Sequence, residues 1–294
     1  MLLDIAGLSK QAYYYVIKHI DDKDNKDKPY EDLIIKIFNH NYQKYGVIRI
    51  TDALNNELKK NHLPEVNHKR VERLMKKLGI HARPKQRKYI SFKGDFGKKC
   101  KNLLLDKNLL EDKKLYVYKR NFETTGPYQK LGTDVTVFMM PYGKLYLSPI
   151  IDFHTREILA YNLSEHPDYR QIIKMFKNLE EKHGNKTKGA ILHSDMGWQY
   201  QMQKYQDKLK ELEIEQSMSR KGNCLDNSPT ENFFGRMKEE MFYGKEYLYK
   251  DIDSLIRAIV KYIEYYNEER IVNKFHMSPL AYKTKILENQ TNYY

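Results

Sequence analysis

Residues 131–163 read LGTDVTVFMMPYGKLYLSPIIDFHTREILAYNL, and this stretch decides the fold class of the chain. It contains three apolar runs of strand length, at 131–139, 144–151 and 157–163. Turn-forming residues separate the runs, and such short connections predict that neighbouring strands pair antiparallel as a meander. The chain therefore builds a sheet whose first three strands are consecutive in sequence.

The segments after this meander alternate between helical and strand patterns. A helix at about 168–183 is followed by a strand at 189–194, a helix near 200–212, an extended stretch at 213–218 and helices at about 229–243 and 251–268. Three strands, helix, strand, helix, strand, helix is the element order of a ribonuclease H-like fold. We therefore predict an α/β catalytic core, a mixed five-stranded sheet with flanking helices.

The first 80 residues predict a helical unit. Helices at 31–42 and 49–60 each carry an apolar stripe on one face, and a third begins after Asn67, a good N-cap, and stops at Gly79. Three short helices with tight turns indicate a helix-turn-helix DNA-binding domain. The expected buried positions are Leu33, Ile34, Ile37, Phe38, Ile50, Leu54, Leu58, Val71, Leu74, Met75 and Leu78.

The net charge of +13 is concentrated in one segment, because residues 61–130 contain 19 Lys and Arg against 7 Asp and Glu. Such a block is typical of a polyanion partner, and a solvated basic linker is the alternative. The predicted domains are a helical unit at 1–80, a basic linker at 81–125, a catalytic core at 126–285 and a C-terminal tail at 286–294.

Basic residues in and beyond that segment form the predicted DNA-contacting set. The exposed positions of the third helix carry Lys and Arg, as a recognition or phosphate-contacting helix requires, although an ordinary charged solvent face would look the same. The candidates are Arg49, Lys69, Arg70, Arg73, Lys76, Lys77, Arg83, Lys85, Arg87, Lys88, Arg220, Lys221, Arg236 and Lys238.

Three acidic residues stand in contexts suited to holding metal ions: Asp134 in a strand-like run, Asp195 after one, and Glu231 in the first turn of a predicted helix. Phosphodiester chemistry needs charge placed on the attacking and leaving oxygens, which two divalent cations held by carboxylates supply. Magnesium takes few protein oxygens, so three acids suffice if Asp134 bridges both ions. Only Cys100 and Cys224 occur, without zinc-ligand spacing, so any metal site must use oxygen ligands.

Each acid also has a structural explanation. Asp134 could be a turn or edge-strand aspartate, although an unpaired carboxylate in a strand is costly. Asp195 could merely start an Asp-Met-Gly turn. Glu231 could complete a capping box with Ser228 as N-cap and Pro229 at the first helical position.

Three neighbouring polar residues have their own expected roles. Lys238 shares a helix face with Glu231 and could hold a DNA phosphate beside the metals. His193 is expected to be a core histidine whose ring nitrogens are both hydrogen-bonded. Asp152, at a strand end, is expected to make the turn into His154.

These motifs resemble those of insertion-sequence transposases related to retroviral integrases. Specifically, the chain resembles the second reading-frame product of the group whose full enzyme is made by programmed frameshifting. The resemblance covers most of the chain and rests on YGVIRITDAL, VNHKRVERLMKKLGIHA, TDVT, YLSPIIDF, HSDMGWQY, SRKGNCLDNSPTENFFGRMKEE and YNEERIVNKFHMSPLAY. It implies that Asp134, Asp195 and Glu231 form a DDE catalytic triad and that Lys238 occupies the basic position on the glutamate helix.

The resemblance also implies an activity, cofactors and partners. The activity is metal-dependent 3′-end cleavage and strand transfer of an element, with two Mg²⁺ per active site and Mn²⁺ as a substitute. The partners are terminal-repeat and target DNA, further copies of the chain around paired DNA ends, and a first-frame product or fused form. No run of eighteen apolar residues occurs, so a cytoplasmic, nucleoid-associated bacterial protein is expected. A catalytically silent DNA-binding regulator and a structure-specific ribonuclease are the alternatives.

Overall fold

The chain divides into two compact units, Met1–Pro84 and Lys85–Tyr294. In the computed structural model, no helix among the described residues is both long enough and apolar enough to cross a bilayer. Those residues are 9–82, 100–110, 115–220 and 224–291.

The first unit contains α1 (Lys10–His40), α2 (Val47–Lys60) and α3 (His68–Lys77). The predicted N-cap of α3 is confirmed, since the Asn67 side chain accepts a hydrogen bond from the Lys69 backbone at 2.9 Å. Gly79 ends the turn after α3 with a φ of +66°. The predicted apolar stripes are buried, except that Leu33 and Leu78 are only half-buried.

Helix α1 starts 21 residues earlier than the apolar pattern predicts. The part before residue 31 contains the charged stretch 21–28 and then Pro29, which lies inside the helix. Proline usually breaks helices, and apolar periodicity, the signal for an amphipathic helix, begins only at residue 31. The pattern therefore misses the helix before residue 31.

The second unit opens with a hairpin of β1 (Leu105–Leu110) and β2 (Leu115–Arg120), paired antiparallel. The sequence analysis placed these residues in a linker and predicted no strand there. Charged residues flank and interrupt both segments, so the two-residue alternation of a half-buried strand is hard to recognise.

The main sheet has six strands, with the order β4-β5-β3-β7-β8 and β6 paired to β5. Strands β3 and β4 both pair antiparallel with β5, while β7 runs parallel to β3 and β8 parallel to β7. The strands are β3 (Lys130–Thr133), β4 (Thr136–Met140), β5 (Gly143–Asp152), β6 (Ile158–Ser164), β7 (Ile191–Ser194) and β8 (Glu215–Met218).

The sheet has six strands instead of five because the run at 131–139 is interrupted after Thr133. Strands β3 and β4 keep one register against β5, with Thr133 opposite Ile150 and Thr136 opposite Leu147. That register places Asp134 opposite Pro149, which has no N–H with which to complete the ladder. The first catalytic candidate therefore lies in a gap of the sheet, and its predicted position within a continuous strand is wrong.

Five helices surround the sheet. The buried side chains of the sheet and of the first two helices form the core, including Leu131, Ile150, Met175, Leu192 and Tyr205. The helices are α4 (Tyr169–His183), α5 (Gln203–Glu211), α6 (Ser228–Met237), α7 (Ile252–Glu268) and α8 (Pro279–Thr291). Helix α6 continues as a π-helical turn over Lys238–Phe242.

The predicted element order, and with it the ribonuclease H-like fold class, is confirmed. Helix α8 is an addition, because the sequence analysis predicted no helix there and a tail from 286. Its apolar residues form no single stripe on a helical face, so periodicity gave no signal.

Candidate active site

The fold brings the three candidate acids to one end of the sheet. Asp134 follows β3, Asp195 follows β7, and Glu231 lies in the first turn of α6. Strands β3 and β7 are parallel neighbours with Gly132 opposite His193, so their carboxyl ends lie side by side. The two aspartates therefore start from adjacent strand ends.

The acids act on one another electrostatically. Burial, followed by the nearby charges of Asp195 and Glu231, raises the pKa of Asp134 well above its usual value. Burial raises the pKa of Asp195 as well. For Glu231, burial and then the charge of Asp195 raise the pKa. Three partly buried carboxylates that oppose each other's ionisation favour a bound proton or a cation between them.

Hydrogen bonds fix one oxygen of each aspartate. The Val135 backbone donates to Asp134 Oδ1 at 2.7 Å, and the Gly197 backbone donates to Asp195 Oδ1 at 2.8 Å. Within the described part of the chain, the second oxygen of each aspartate makes no hydrogen bond to protein. Asp195 thus starts the expected turn and still presents an oxygen for binding.

The capping box considered as the alternative role of Glu231 does not form among the described residues. The residue before α6 is Asn227, not Ser228, and it makes no side-chain cap. The carboxylate of Glu231 has no hydrogen-bond or ion-pair partner among the described residues, so capping does not occupy it. Asp and Asn are themselves frequent before helices. Because Ser228 was taken as the residue before the helix, the structural roles of Asp226 and Asn227 were not predicted.

The acids fit a divalent cation by charge and donor type. Their oxygens are hard ligands of the kind that Mg²⁺ prefers. Among the described residues, however, no three Asp, Glu, His or Cys side chains converge closely enough to form a complete metal cage. Asp195 acts more strongly than Glu231 on the pKa of Asp134. The charge of Asp195 is thus the main carboxylate effect on Asp134, and that of Glu231 is the smaller one.

Lys238 was predicted to contact DNA, but its side chain is buried inside the protein. Its Nζ donates to the Val137 backbone oxygen at 2.7 Å and lies 5.1 Å from the centre of the Phe138 ring. Burial lowers the pKa of Lys238 to about 8, opposed by the charge of Asp134. This burial results from packing against β4, 101 positions away along the chain, which helical periodicity does not predict.

Three of the five basic candidates on α3 are paired with acids of α1. Arg70 and Arg73 bind the two oxygens of the buried Asp27 carboxylate at 2.7 and 2.6 Å. Lys77 binds Glu31 at 3.0 Å. Sequence analysis missed these pairs because Asp27 lies more than forty residues away, in the half of α1 that it did not predict. Lys69 and Lys76 are exposed.

Arg220 is bound to a neighbouring carboxylate instead of standing free for DNA. Its Nε and Nη2 donate to Asp226 at 3.0 Å each, and Arg120 Nε donates to the same carboxylate at 2.8 Å. Burial alone would raise the pKa of Asp226, but these hydrogen bonds lower it to about 2. Arg49 lies over the Tyr45 ring, and Arg236 is half-buried. Arg83, Lys85, Arg87, Lys88 and Lys221 lie outside the described residues.

The expectations for His193 and Asp152 are confirmed. His193 is fully buried, with its ring nitrogens 2.8 and 3.1 Å from the hydroxyls of Ser217 and Ser219. Asp152 accepts hydrogen bonds from the backbones of His154 and Thr155 at 2.6 and 3.0 Å. Both residues serve the fold.

The hydrogen bonds of Arg120 and Arg220 to Asp226 make the free energy of unfolding depend on pH in the acid range. The folded pKa of Asp226, about 2, lies below the usual 3.8, so the unfolded state binds more protons between those values. The contribution is present above pH 3.8 and is lost as pH falls through 2. Because both arginines are partly exposed, we expect Asp226→Asn to cost about 1–2 kcal/mol at pH 7.

Urea unfolding of wild type and Asp226→Asn at pH 7 and pH 3 checks this prediction. The difference between the two proteins should shrink as the pH falls. A difference that stays constant over this range would contradict the assigned role of the carboxylate.

Family models agree with this division of the chain. One Integrase core domain model matches residues 124–224, a second matches 231–287, and an HTH-like domain model matches 24–88. The chain is 39% identical over 285 residues to "Putative transposase InsK for insertion sequence element IS150" of Escherichia coli K12, covering 97% of this chain and 93% of that protein.

Two further relatives illustrate the range of similarity. An "Uncharacterized transposase-like protein" of Haemophilus influenzae is 45% identical over 226 residues, covering 76% of this chain and 95% of that protein. Among solved structures, the HTLV-2 integrase catalytic core domain in complex with magnesium (trimeric form) has a TM-score of 0.45 and 17% identity. That match covers 55% of this chain and 99% of the other.

Proposed function

The chain belongs to the insertion-sequence transposases that carry an integrase core, and from this premise we propose that it cleaves and joins DNA with Asp134, Asp195 and Glu231 as its catalytic acids. It is a polynucleotidyl transferase of the DDE class. The observation that supports the residue assignment is that three separate elements bring these carboxylates together: Asp134 and Asp195 follow adjacent parallel strands, and Glu231, in the first turn of α6, is close enough for its charge to raise the pKa of Asp134.

The proposed reaction has two transfers at phosphorus. Water first attacks the phosphodiester at an element end; its oxygen bonds to phosphorus and the element's 3′ oxygen leaves, taking a proton. That freed 3′ hydroxyl then attacks a target phosphodiester in line. A new phosphorus–oxygen bond forms, the target's own 3′ oxygen leaves with a proton, and no covalent protein intermediate is needed.

The three acids would hold the divalent cations. Bound Mg²⁺, two ions per site with Mn²⁺ as a substitute, would lower the pKa of the attacking oxygen and neutralise the leaving oxygen. The backbone amides of Val135 and Gly197 orient the two aspartates, each leaving one oxygen for this task. The ammonium of Lys238 lies in the field of Asp134 and offsets part of the negative charge of the site.

DNA would be held by the first unit and by basic residues of the core. On α3, Lys69 and Lys76 are exposed, and we assign them contacts with DNA phosphates. The other basic residues of α3 are paired with acids of α1, so they are less available for such contacts; they are Arg70, Arg73 and Lys77. Terminal repeats and target DNA are the proposed substrates. A multimer around paired ends, with a first-frame product or fused form, is the proposed assembly.

The test is cleavage and joining of labelled element-end duplexes with Mg²⁺ or Mn²⁺. We expect activity from the wild type and a loss of at least about 10³-fold in Asp195→Asn and Glu231→Gln, since losing a metal ligand removes several kcal/mol of transition-state stabilisation. Binding of the same duplex, measured by fluorescence anisotropy, should change less than about twofold. Wild-type activity in either variant would refute the assignment of that residue.

A catalytically silent DNA-binding regulator is the second candidate. The observation on its side is that the three acids do not converge to a complete cage among the described residues. Wild-type protein that binds element ends tightly but neither cleaves nor joins them, with either metal, would favour this function.

A further inference from the structure

We propose that Asn227 is a positioning residue that sets the distance between the first and third catalytic acids. Its amide joins the strand end beside Asp134 to the helical turn that carries Glu231. The inference rests on the proposed function, because it assigns a role relative to the reaction for which those acids are proposed.

Both the nitrogen and the oxygen of the Asn227 side-chain amide form hydrogen bonds. Its Nδ2 donates to the Thr133 backbone oxygen at 3.2 Å, and its Oδ1 accepts from the Thr230 hydroxyl at 2.8 Å. Thr133 immediately precedes Asp134, and Thr230 immediately precedes Glu231. Because Asn227 is only 2% exposed, water does not compete well for either hydrogen bond. One side chain therefore connects the two backbone segments that present the acids.

Close packing supports the same contact. A Cβ atom on Gly132 would lie 2.5 Å from the Thr230 hydroxyl and 2.3 Å from the Phe153 ring. Helix α6 can thus approach β3 this closely because residue 132 has no side chain. Thr230 is fully buried in this contact. The bridge of Asn227 spans an interface with little room to shift.

The residue before the bridge is anchored separately. The Asp226 carboxylate receives hydrogen bonds from Arg220 just after β8, from Arg120 at the end of β2, and from Asn102 at 3.0 Å. The chain therefore enters α6 from a fixed point. Asn227 has only to set the spacing between α6 and β3, and it does so without touching either acid.

A force acts against this bridge. Asp134 and Glu231 lie on its two sides, and two carboxylates repel each other when both are ionised. Repulsion between them favours movement of α6 away from β3. Since a displacement of about 1 Å in a catalytic group can cost about 10²-fold in rate, we expect the bridge to matter more for rate than for folding.

The experiment compares Asn227→Ala with a matched control, Asn267→Ala. Asn267 bridges α7 and β6 in the same way, through hydrogen bonds of 2.9 and 3.0 Å to the Ile158 backbone, but away from the acids. We measure single-turnover strand transfer, the Mn²⁺ concentration at half-maximal thermal stabilisation, and melting temperature. Asn227→Ala should lose about 10²-fold in rate and need about tenfold more Mn²⁺. Asn267→Ala should melt lower by a similar amount, with rate and Mn²⁺ midpoint within about threefold of wild type.

A second pair of variants covers the case in which Asn227→Ala does not fold. Thr230→Val keeps the side-chain shape but removes the donor to Asn227, whereas Thr230→Ser keeps the hydroxyl. We expect about a tenfold loss in rate and a raised Mn²⁺ midpoint for Thr230→Val. Thr230→Ser should restore both to within about threefold of wild type.

The outcomes separate the bridge from the proposed function. Unchanged rate and Mn²⁺ midpoint in Asn227→Ala or Thr230→Val, or equal losses in Asn267→Ala, overturn the positioning role. If the wild type itself proves inactive, the proposed function fails, and the Mn²⁺ midpoint still decides whether Asn227 holds the acids together.

Discussion

Asp134→Asn is expected to reduce strand transfer by at least about 10³-fold while stabilising the metal-free protein at neutral pH. The loss of activity follows from the closeness of Asp134 to the other two acids, whose charges both raise its pKa. Asparagine keeps the shape of the side chain but cannot supply the negative charge that a divalent cation requires.

The gain in stability follows from linkage. The pKa of Asp134 in the folded protein lies above its unfolded value of 3.8, because of burial and then the charge of Asp195. Between those two pKa values the folded state binds more protons, so stability falls as pH rises. Because asparagine does not titrate, the variant should not show this decrease in stability with rising pH.

Thermal melting in EDTA at pH 5 and pH 8, and again with Mg²⁺, measures both effects. Relative to wild type, the variant should melt higher in EDTA at pH 8 and should gain little from Mg²⁺. The exposed Glu181→Gln provides a control that should alter neither property. A variant that melts lower than wild type in EDTA at pH 8, or one that still transfers strands, contradicts the assignment of Asp134.

Arg270→Met is expected to lower the free energy of unfolding by about 3–5 kcal/mol. Arg270 is 1% exposed and makes a two-pronged contact with the buried Glu240 carboxylate, with its shortest N–O distance at 2.6 Å. The Tyr262 hydroxyl donates to the same carboxylate at 2.7 Å. Removing the guanidinium takes away the charge and the hydrogen bonds that Arg270 supplies to this buried carboxylate, which accounts for most of the cost.

The Arg270–Glu240 pair itself contributes less to the free energy of unfolding than the cost of Arg270→Met suggests. Among the described residues, Arg270 Nη1 is buried without a hydrogen-bond partner, so the native arrangement already leaves one donor unsatisfied. Replacing both members, as in Arg270→Met with Glu240→Met, should therefore recover most of the stability. Urea unfolding at pH 7 of the wild type and both variants measures these effects. A cost below about 1 kcal/mol for Arg270→Met would show that the carboxylate is not stranded by its loss.

Local sequence patterns predicted most of the core. The apolar runs at 144–151 and 157–163 became β5 and β6 to within a residue or two, and the helix at 168–183 became α4. The cap at Asn67 and the turn at Asp152 were also predicted from neighbouring residues. Such features depend on contacts within a few positions along the chain, which is why composition and periodicity can indicate them.

Interactions between distant segments were not predictable in the same way. The pairing of Arg70 and Arg73 with Asp27 joins residues more than forty positions apart, and it removes charges that the sequence alone assigned to DNA. The burial of Lys238 depends on its hydrogen bond to the Val137 backbone oxygen in β4, 101 positions away. In both cases packing decided which partner a charged side chain found.

The sequence by itself determined which elements form, their order, and the three acids at their ends, because strand and helix propensities and turn residues act locally. Only the tertiary structure decided that Asp134 lies in a gap opposite Pro149, that Glu231 is not occupied by a cap, and that Asn227 links the two segments. These features depend on strand register and on how closely α6 approaches β3. The register depends on how β3 and β4 pair with β5, and the approach of α6 joins Asn227 to Thr133, 94 positions away, so local pattern encodes neither.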